Sequence, residues 1–157
     1  MKVTQCLWFE ADMDEALRLY TSLIPGSTLE WGSALAADSP SGPAGSVKLT
    51  GFTLGDQRYL AFQAAGRPDA FNHCVSIMIE CETQTEIDRL WEALGKDGQY
   101  EQCGWLRDRW GLAWQIVPKR LIELTRGPDK AVSKRVTEAM LKMVKLDIAG
   151  LEAAAKG

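Results

Sequence analysis

The sequence has a single histidine and no Cys-x-x-Cys pair, which removes the ordinary zinc-binding patterns at the outset. No stretch approaches the roughly 20 apolar residues that a membrane-spanning helix needs. The N-terminal Met1-Lys2-Val3-Thr4 carries no apolar signal core. A cytoplasmic protein with no membrane partner is the expectation. Basic clusters are also missing: 18 Lys and Arg are scattered among 21 Asp and Glu for a net charge of −3, so the footprint that nucleic-acid phosphates require is absent.

What is present is ordinary for a globular domain, with 46% hydrophobic and 25% charged residues in 157 positions, enough chain for one domain with a sizeable core. Cys6, Cys74, Cys81 and Cys103 each sit in an apolar run with no activating base nearby in sequence, so buried free thiols are expected.

Residues 4–9 form a short apolar and aromatic strand pattern, followed by Asp12 as a helix cap with Glu15 three positions on. Met13, Ala16, Leu17, Tyr20, Leu23 and Ile24 recur at helical spacing until Pro25-Gly26 stops them. Three strands follow, over residues 27–36, 47–54 and 59–64. A loop rich in Ser, Pro and Gly separates the first two, and a Gly55-Asp56 hairpin turn joins the last pair.

The plan then repeats. Residues 75–80 read as a strand, Thr83 to Glu86 as a capping box, and a helix runs to Gly95. Superposing Glu15 on Glu86 brings Arg18-Leu19-Tyr20 onto Arg89-Leu90-Trp91 and Leu23 onto Leu94. Strands over 100–103, 105–109 and 112–117 complete the second unit, with turns at Gly104 and at Arg109-Trp110-Gly111 and a stop at Pro118. The reading is an α+β fold of two βαβββ modules, residues 1–66 and 72–118. An amphipathic helical tail over 119–157, interrupted at Gly127-Pro128, is expected to pack on the domain or on a dimer partner.

Four ordered pieces carry a family resemblance: Cys6-Leu7-Trp8-Phe9, the helix from Glu15 to Tyr20, Pro43-Ala44-Gly45-Ser46-Val47, and the run from Cys103-Gly104-Trp105-Leu106 to Ile116-Val117-Pro118. Across nearly the whole chain the sequence resembles the PhnB-like proteins of the vicinal-oxygen-chelate superfamily, which includes glyoxalases, bleomycin-resistance proteins and dioxygenases. Members are often labelled 3-demethylubiquinone-9 3-methyltransferases. Such chemistry needs a glycine-rich loop between a strand and a helix, whereas the stretch 39–46 contains two prolines and leads into a strand.

The resemblance implies a cup whose metal-dependent versions take ligands from inward positions of the first, fourth, fifth and eighth strands. Here it selects Gln5, Gln63, Ser76 and Gln115, with His73 just before the fifth strand and Leu7 and Met78 as apolar lining. Neutral amides compensate poorly for ion dehydration, so no metal and no cofactor are expected. The amides either orient a small polar ligand or satisfy one another and the backbone. His73 is the natural general base if the protein has one, and otherwise an exposed loop residue. The acidic pairs Asp12/Asp14 and Glu80/Glu82 precede helices and are explained by capping and solvation.

Three functions remain open. The first is metal-free binding of a small molecule by a homodimer. The second is a metal-dependent lyase, isomerase or dioxygenase using His73 and further ligands. The third is a structural or partner-binding dimer module using the C-terminal helices.

Overall fold

Eight strands and five helices follow one another in the order that the two sequence repeats imply, and the computed structural model describes all 157 residues. The chain forms two compact units, Met1–Ala70 and Phe71–Gly157. The first contains β1 (Gln5–Phe9), α1 (Met13–Leu23), β2 (Thr28–Ala34), β3 (Lys48–Leu54) and β4 (Gln57–Gln63). The second contains β5 (Ser76–Cys81), α2 (Gln84–Gly95), β6 (Gln99–Tyr100), β7 (Trp105–Arg107), β8 (Ala113–Pro118), α3 (Lys119–Arg126), α4 (Lys130–Met140) and α5 (Ile148–Lys156).

The sheets share one topology, β1-β4-β3-β2 and β5-β8-β7-β6, with the β1/β4 and β5/β8 pairs parallel and the rest antiparallel. In each unit a helix covers one sheet face. Met13, Ala16, Leu17 and Tyr20 of α1 are buried against a face holding Leu7, Phe9, Phe52, Tyr59 and Ala61. Ile87, Leu90, Trp91 and Leu94 of α2 meet a face with Ile77, Leu106, Trp114 and Ile116. Alternation along each strand then fixes what the opposite, open face presents.

Two local differences from the sequence reading have physical causes. The strand expected over 100–103 ends at Tyr100. A 3-10 turn, Gln102–Gly104, takes over because Cys103 (φ 60°) and Gly104 (φ 81°) both adopt left-handed backbone. A Cβ on Gly104 would stand 2.8 Å from the Ile116 carbonyl oxygen, so only glycine fits there. The cysteines divide as well: Cys81 is buried, Cys103 is half-buried, and Cys6 and Cys74 are exposed, against the expectation of four buried thiols. Burial, reinforced by the nearby Glu86 carboxylate, pushes the Cys81 thiol up to about 11.

The tail belongs to the second unit. Leu121, Val136, Leu146 and Leu151 bury themselves with Val117 of β8. The α4–α5 connection binds the 3-10 turn through Cys103 N–H to Met143 O (2.8 Å) and Gly104 N–H to Val144 O (2.8 Å). Gln84, at the start of α2, donates to Leu146 O and accepts from Ile148 N, so one amide fastens the start of α5.

The turn between β7 and β8 is organised by Asp108, which is 3% exposed. Its Oδ1 accepts from Trp110 N (2.9 Å) and Leu112 N (3.0 Å), and its Oδ2 accepts from the indole Nε1 of fully buried Trp114 (2.9 Å). Replacing Asp108 by Ala strands these donors in or near the core. The expected cost is about 3 kcal/mol, read as a fall in Tm of about 10 °C. Asp108→Asn keeps one acceptor for the turn but sets an amide N–H against the Trp114 N–H, so its melt should fall between wild type and Asp108→Ala. An Asp108→Ala protein melting with wild type would refute this role.

Candidate functional site

The two modules differ by one residue just ahead of the helix, and that residue decides which side chains face outward. The connection from β1 to α1 is Glu10-Ala11-Asp12, whereas that from β5 to α2 is Glu82-Thr83. The extra residue is absorbed at Asp12, which sits in left-handed backbone (φ 57°) and makes no side-chain cap. The expected Asp12/Glu15 capping box is therefore absent, while the Thr83/Glu86 box is present. The helices superpose in the register of Tyr20 on Trp91, but the strands superpose one residue further along, Leu7 on Ile79 and Phe9 on Cys81.

Leu7 and Gln63 consequently lie on the helix-covered face, not on the open face where the sequence reading set them, and Gln5 shares their side at the strand's exposed start. Leu7 is 6% exposed and part of the core. Gln63 Oε1 accepts from Met13 N at 3.0 Å and supplies the helix cap that Asp12 does not. Its counterpart in the second unit is Pro118, matched by its pairing with Cys81, and there the helix caps itself.

The open face of the first sheet carries Cys6 and Trp8 from β1, Leu60 and Phe62 from β4, Leu49 and Gly51 from β3, and Trp31 from β2. A register shift between Leu29 and Trp31 turns Trp31 onto this face opposite Gly51, where its indole occupies the space a Cβ would need. Trp8 stands 4.8 Å from Phe62, centroid to centroid, and its Nε1 donates to Ala64 O. Residues 35–47 fold over the sheet edge as an internally bonded loop, with Leu35 N to Val47 O (2.9 Å), Gly45 N to Leu35 O (2.7 Å) and Ala44 N to Asp38 Oδ1 (2.9 Å). Between loop and sheet lies a cavity of about 380 Å³, lined by Leu35, Val47, Leu49, Leu60, Phe62 and Ala64 with Cys6, Ser39 and Ser41. No charged side chain lines it.

In the second unit, Ser76, Met78 and Gln115 do share the open face. Gln115 Nε2 donates to Ser76 Oγ at 2.8 Å, and Met78 is exposed. Trp105 pairs with Gln115 on the neighbouring strand and stands 5.7 Å from the His73 ring. His73 Nε2 meets Glu101 Oε2 at 2.5 Å, and the other Glu101 oxygen takes Arg107 Nε at 2.8 Å. Arg107 also bonds Gln99. Sequence reasoning missed Glu101 and Arg107 because nothing in the spacing ties them to a histidine 28 residues earlier. Asp108 did leave a trace, as an Asp three residues before a turn glycine. The acidic pairs have no joint role here: Asp14 binds Lys48 and Glu82 binds Lys119.

No group of three His, Cys, Asp or Glu side chains is placed to hold a metal ion. No helix is long and apolar enough to cross a membrane.

Burial raises the Glu101 pKa, but the hydrogen bonds and charges of His73 and Arg107 outweigh it and hold the carboxyl below its ordinary 4.5. A depressed folded-state value stabilises the fold above the unfolded pKa, and that stability is lost as pH falls through the folded one. The urea midpoint should therefore decline below about pH 4.5 and the decline should be shallower in Glu101→Gln. Identical acid limbs for the two proteins would show that Glu101 is not linked to folding.

The family model for 3-demethylubiquinone-9 3-methyltransferase matches residues 1–117. The PhnB protein of Bacillus cereus is 30% identical and superposes with a TM-score of 0.67, covering 75% of this chain and 99% of that one. A protein of Pseudomonas aeruginosa, 22% identical, covers 75% of this chain and 97% of its own with a TM-score of 0.55, a likeness of fold alone. A search of curated proteins finds no match. The paired βαβββ modules, the match over most of the chain and the Bacillus relative together place the chain in the PhnB-like family described as 3-demethylubiquinone-9 3-methyltransferase, on the vicinal-oxygen-chelate fold.

Proposed function

We propose that this protein binds a small, uncharged, largely apolar molecule and does so without a metal. The carrying observation is the cavity of about 380 Å³ on the open face of the first sheet, within the size range of ligand sites and walled by aliphatic and aromatic side chains with a few hydroxyls. An uncharged lining favours a neutral ligand, because a buried ion would go uncompensated. On the second unit, Ser76, Met78, Gln115 and His73 form an open face suited to polar contacts. Gln5, Leu7 and Gln63 drop out of the binding set, since their sheet face is taken by α1.

The family's label suggests methyl transfer, and its fold suggests a metal; the residues present fit neither group. Neither strand-to-helix connection contains a glycine, and neither sheet is the all-parallel kind whose strand ends hold a nucleoside cofactor. At the strand positions facing outward, β1 and β4 offer Cys6, Trp8, Leu60 and Phe62, and β5 and β8 offer Ser76, Met78, Glu80 and Gln115. One thiol on the first sheet and one carboxylate on the second are too few donors for a divalent-ion cage.

The cavity reading is tested with the neutral dye N-phenyl-1-naphthylamine, whose fluorescence rises in apolar sites. One dye per chain is expected, and Leu49→Arg or Leu60→Trp should weaken binding at least about tenfold by charging or filling the cavity. Unchanged affinity in both folded variants would sink the assignment.

We further infer a homodimer, supported by Leu141 and Val144, apolar side chains left exposed beside one another in the α4–α5 connection. Native mass spectrometry of the purified protein should show twice the chain mass. A monomer at micromolar concentration would refute it.

A further inference from the structure

We propose that His73 is a general base, oriented by Glu101, in a proton-transfer site for a neutral planar substrate on the open face of the second sheet. The proposal stands on the second unit alone and is independent of the cavity reading.

An exposed histidine ordinarily turns freely, and fixing it costs rotamer entropy. Here three groups hold it. Asn72 accepts from Cys74 N at 2.8 Å through Oδ1, a local turn that sets the backbone on either side of His73. Glu101 grips Nε2 at 2.5 Å, and the Trp105 ring lies beside the imidazole. The ring nevertheless keeps 48% of its side-chain surface open. Glu101 pairs with it directly, and Arg107 pairs with Glu101.

Chemistry follows from which nitrogen is engaged. With Glu101 ionised, the neutral imidazole places its proton on Nε2 to donate to the carboxylate, which leaves Nδ1 with a free electron pair. Arg107, anchored by Gln99, keeps Glu101 in its ionised, accepting form. When Nδ1 takes a proton, the imidazolium that forms is stabilised by the same carboxylate, the division of labour that an acid–histidine pair performs in acyl transfer. Glu101 and Arg107 are thus positioning residues.

The surroundings indicate the substrate class. Trp105 offers a half-buried aromatic surface beside the base, and its cross-strand partner Gln115 is held by Ser76 with its amide in reach of a polar substituent. A planar, uncharged molecule with a weakly acidic C–H or O–H meets these groups.

The probe is 5-nitrobenzisoxazole, a planar aromatic whose ring opening needs only a base. His73 Nδ1 takes the C3 proton, the C–H electron pair forms the nitrile, and the N–O bond breaks to leave a nitrophenolate, which is followed by absorbance. Nothing else is consumed. The protein should exceed the same concentration of free imidazole by about 100-fold. His73→Ala should fall to the buffer rate, Glu101→Gln should lose about tenfold in kcat with KM little changed, and Trp105→Leu should raise KM. Circular dichroism confirms that each variant is folded.

Nitrogen-15 NMR of the single histidine gives a second, activity-free reading, with Nε2–H and a bare Nδ1 expected for the neutral ring. Turnover no faster than imidazole, an unchanged rate in His73→Ala, or an Nδ1–H tautomer would each overturn the proposal.

Discussion

The second module depends on one buried carboxylate. Asp108 places a negative group where apolar packing alone would leave three N–H donors without acceptors, two from its own turn and one from the Trp114 indole. Burying a charge is expensive unless its hydrogen bonds replace those of water, and charge-assisted bonds are about twice as strong as neutral ones. Trp114 is therefore locked at full burial, and with it β8, the strand that joins β5 and β7, presents Gln115 outward and Val117 to the tail helices. A hydrophobic residue at position 108 would fill the volume and keep the backbone bonds of the turn, but would leave the Trp110 and Leu112 N–H groups and the Trp114 indole without their acceptor.

The first module reaches the same topology with different means. Its helix has no self-made cap, because the extra residue before it puts Asp12 in left-handed backbone, and the orphan N–H of Met13 is met by Gln63 from the end of the neighbouring strand β4. In the second module Thr83 and Glu86 do this locally, and the position equivalent to Gln63 is a proline with no side-chain acceptor. Capping by a tertiary contact ties helix formation to completion of the sheet, while a capping box lets the helix start alone.

That difference also explains what could be read from sequence and what could not. The order of elements, the paired modules and the helix register were legible, since periodicity and capping are local signals. The outward positions of β5 and β8 were legible too, so Ser76, Met78 and Gln115 face as expected. In β1 the same counting failed by one residue, because strand side chains alternate and a single insertion exchanges the two faces. Gln5 and Leu7 exchanged faces with Cys6 and Trp8 for that reason, whereas Gln63, chosen as the nearest polar residue of β4, lies on the covered face through its pairing with Phe9. The bulge that turns Trp31 over Gly51 was equally silent, being a property of two strands in register.

The two open faces consequently have opposite chemistry on one topology. The first is apolar: its strands contribute Cys6, Leu49, Leu60, Phe62 and two indoles, and its ordered loop walls one side of a wide-mouthed apolar cavity. The second is polar and internally paired, with the Ser76–Gln115 and His73–Glu101–Arg107 bonds already made before any ligand arrives. Prepaired groups lose little entropy on binding, so such a face can recognise polar substituents at low cost, whereas the first face gains by excluding water. With matching backbones, the difference between the faces lies in the side chains alone: Trp8, Leu60 and Phe62 on the first against Ser76 and Gln115 on the second.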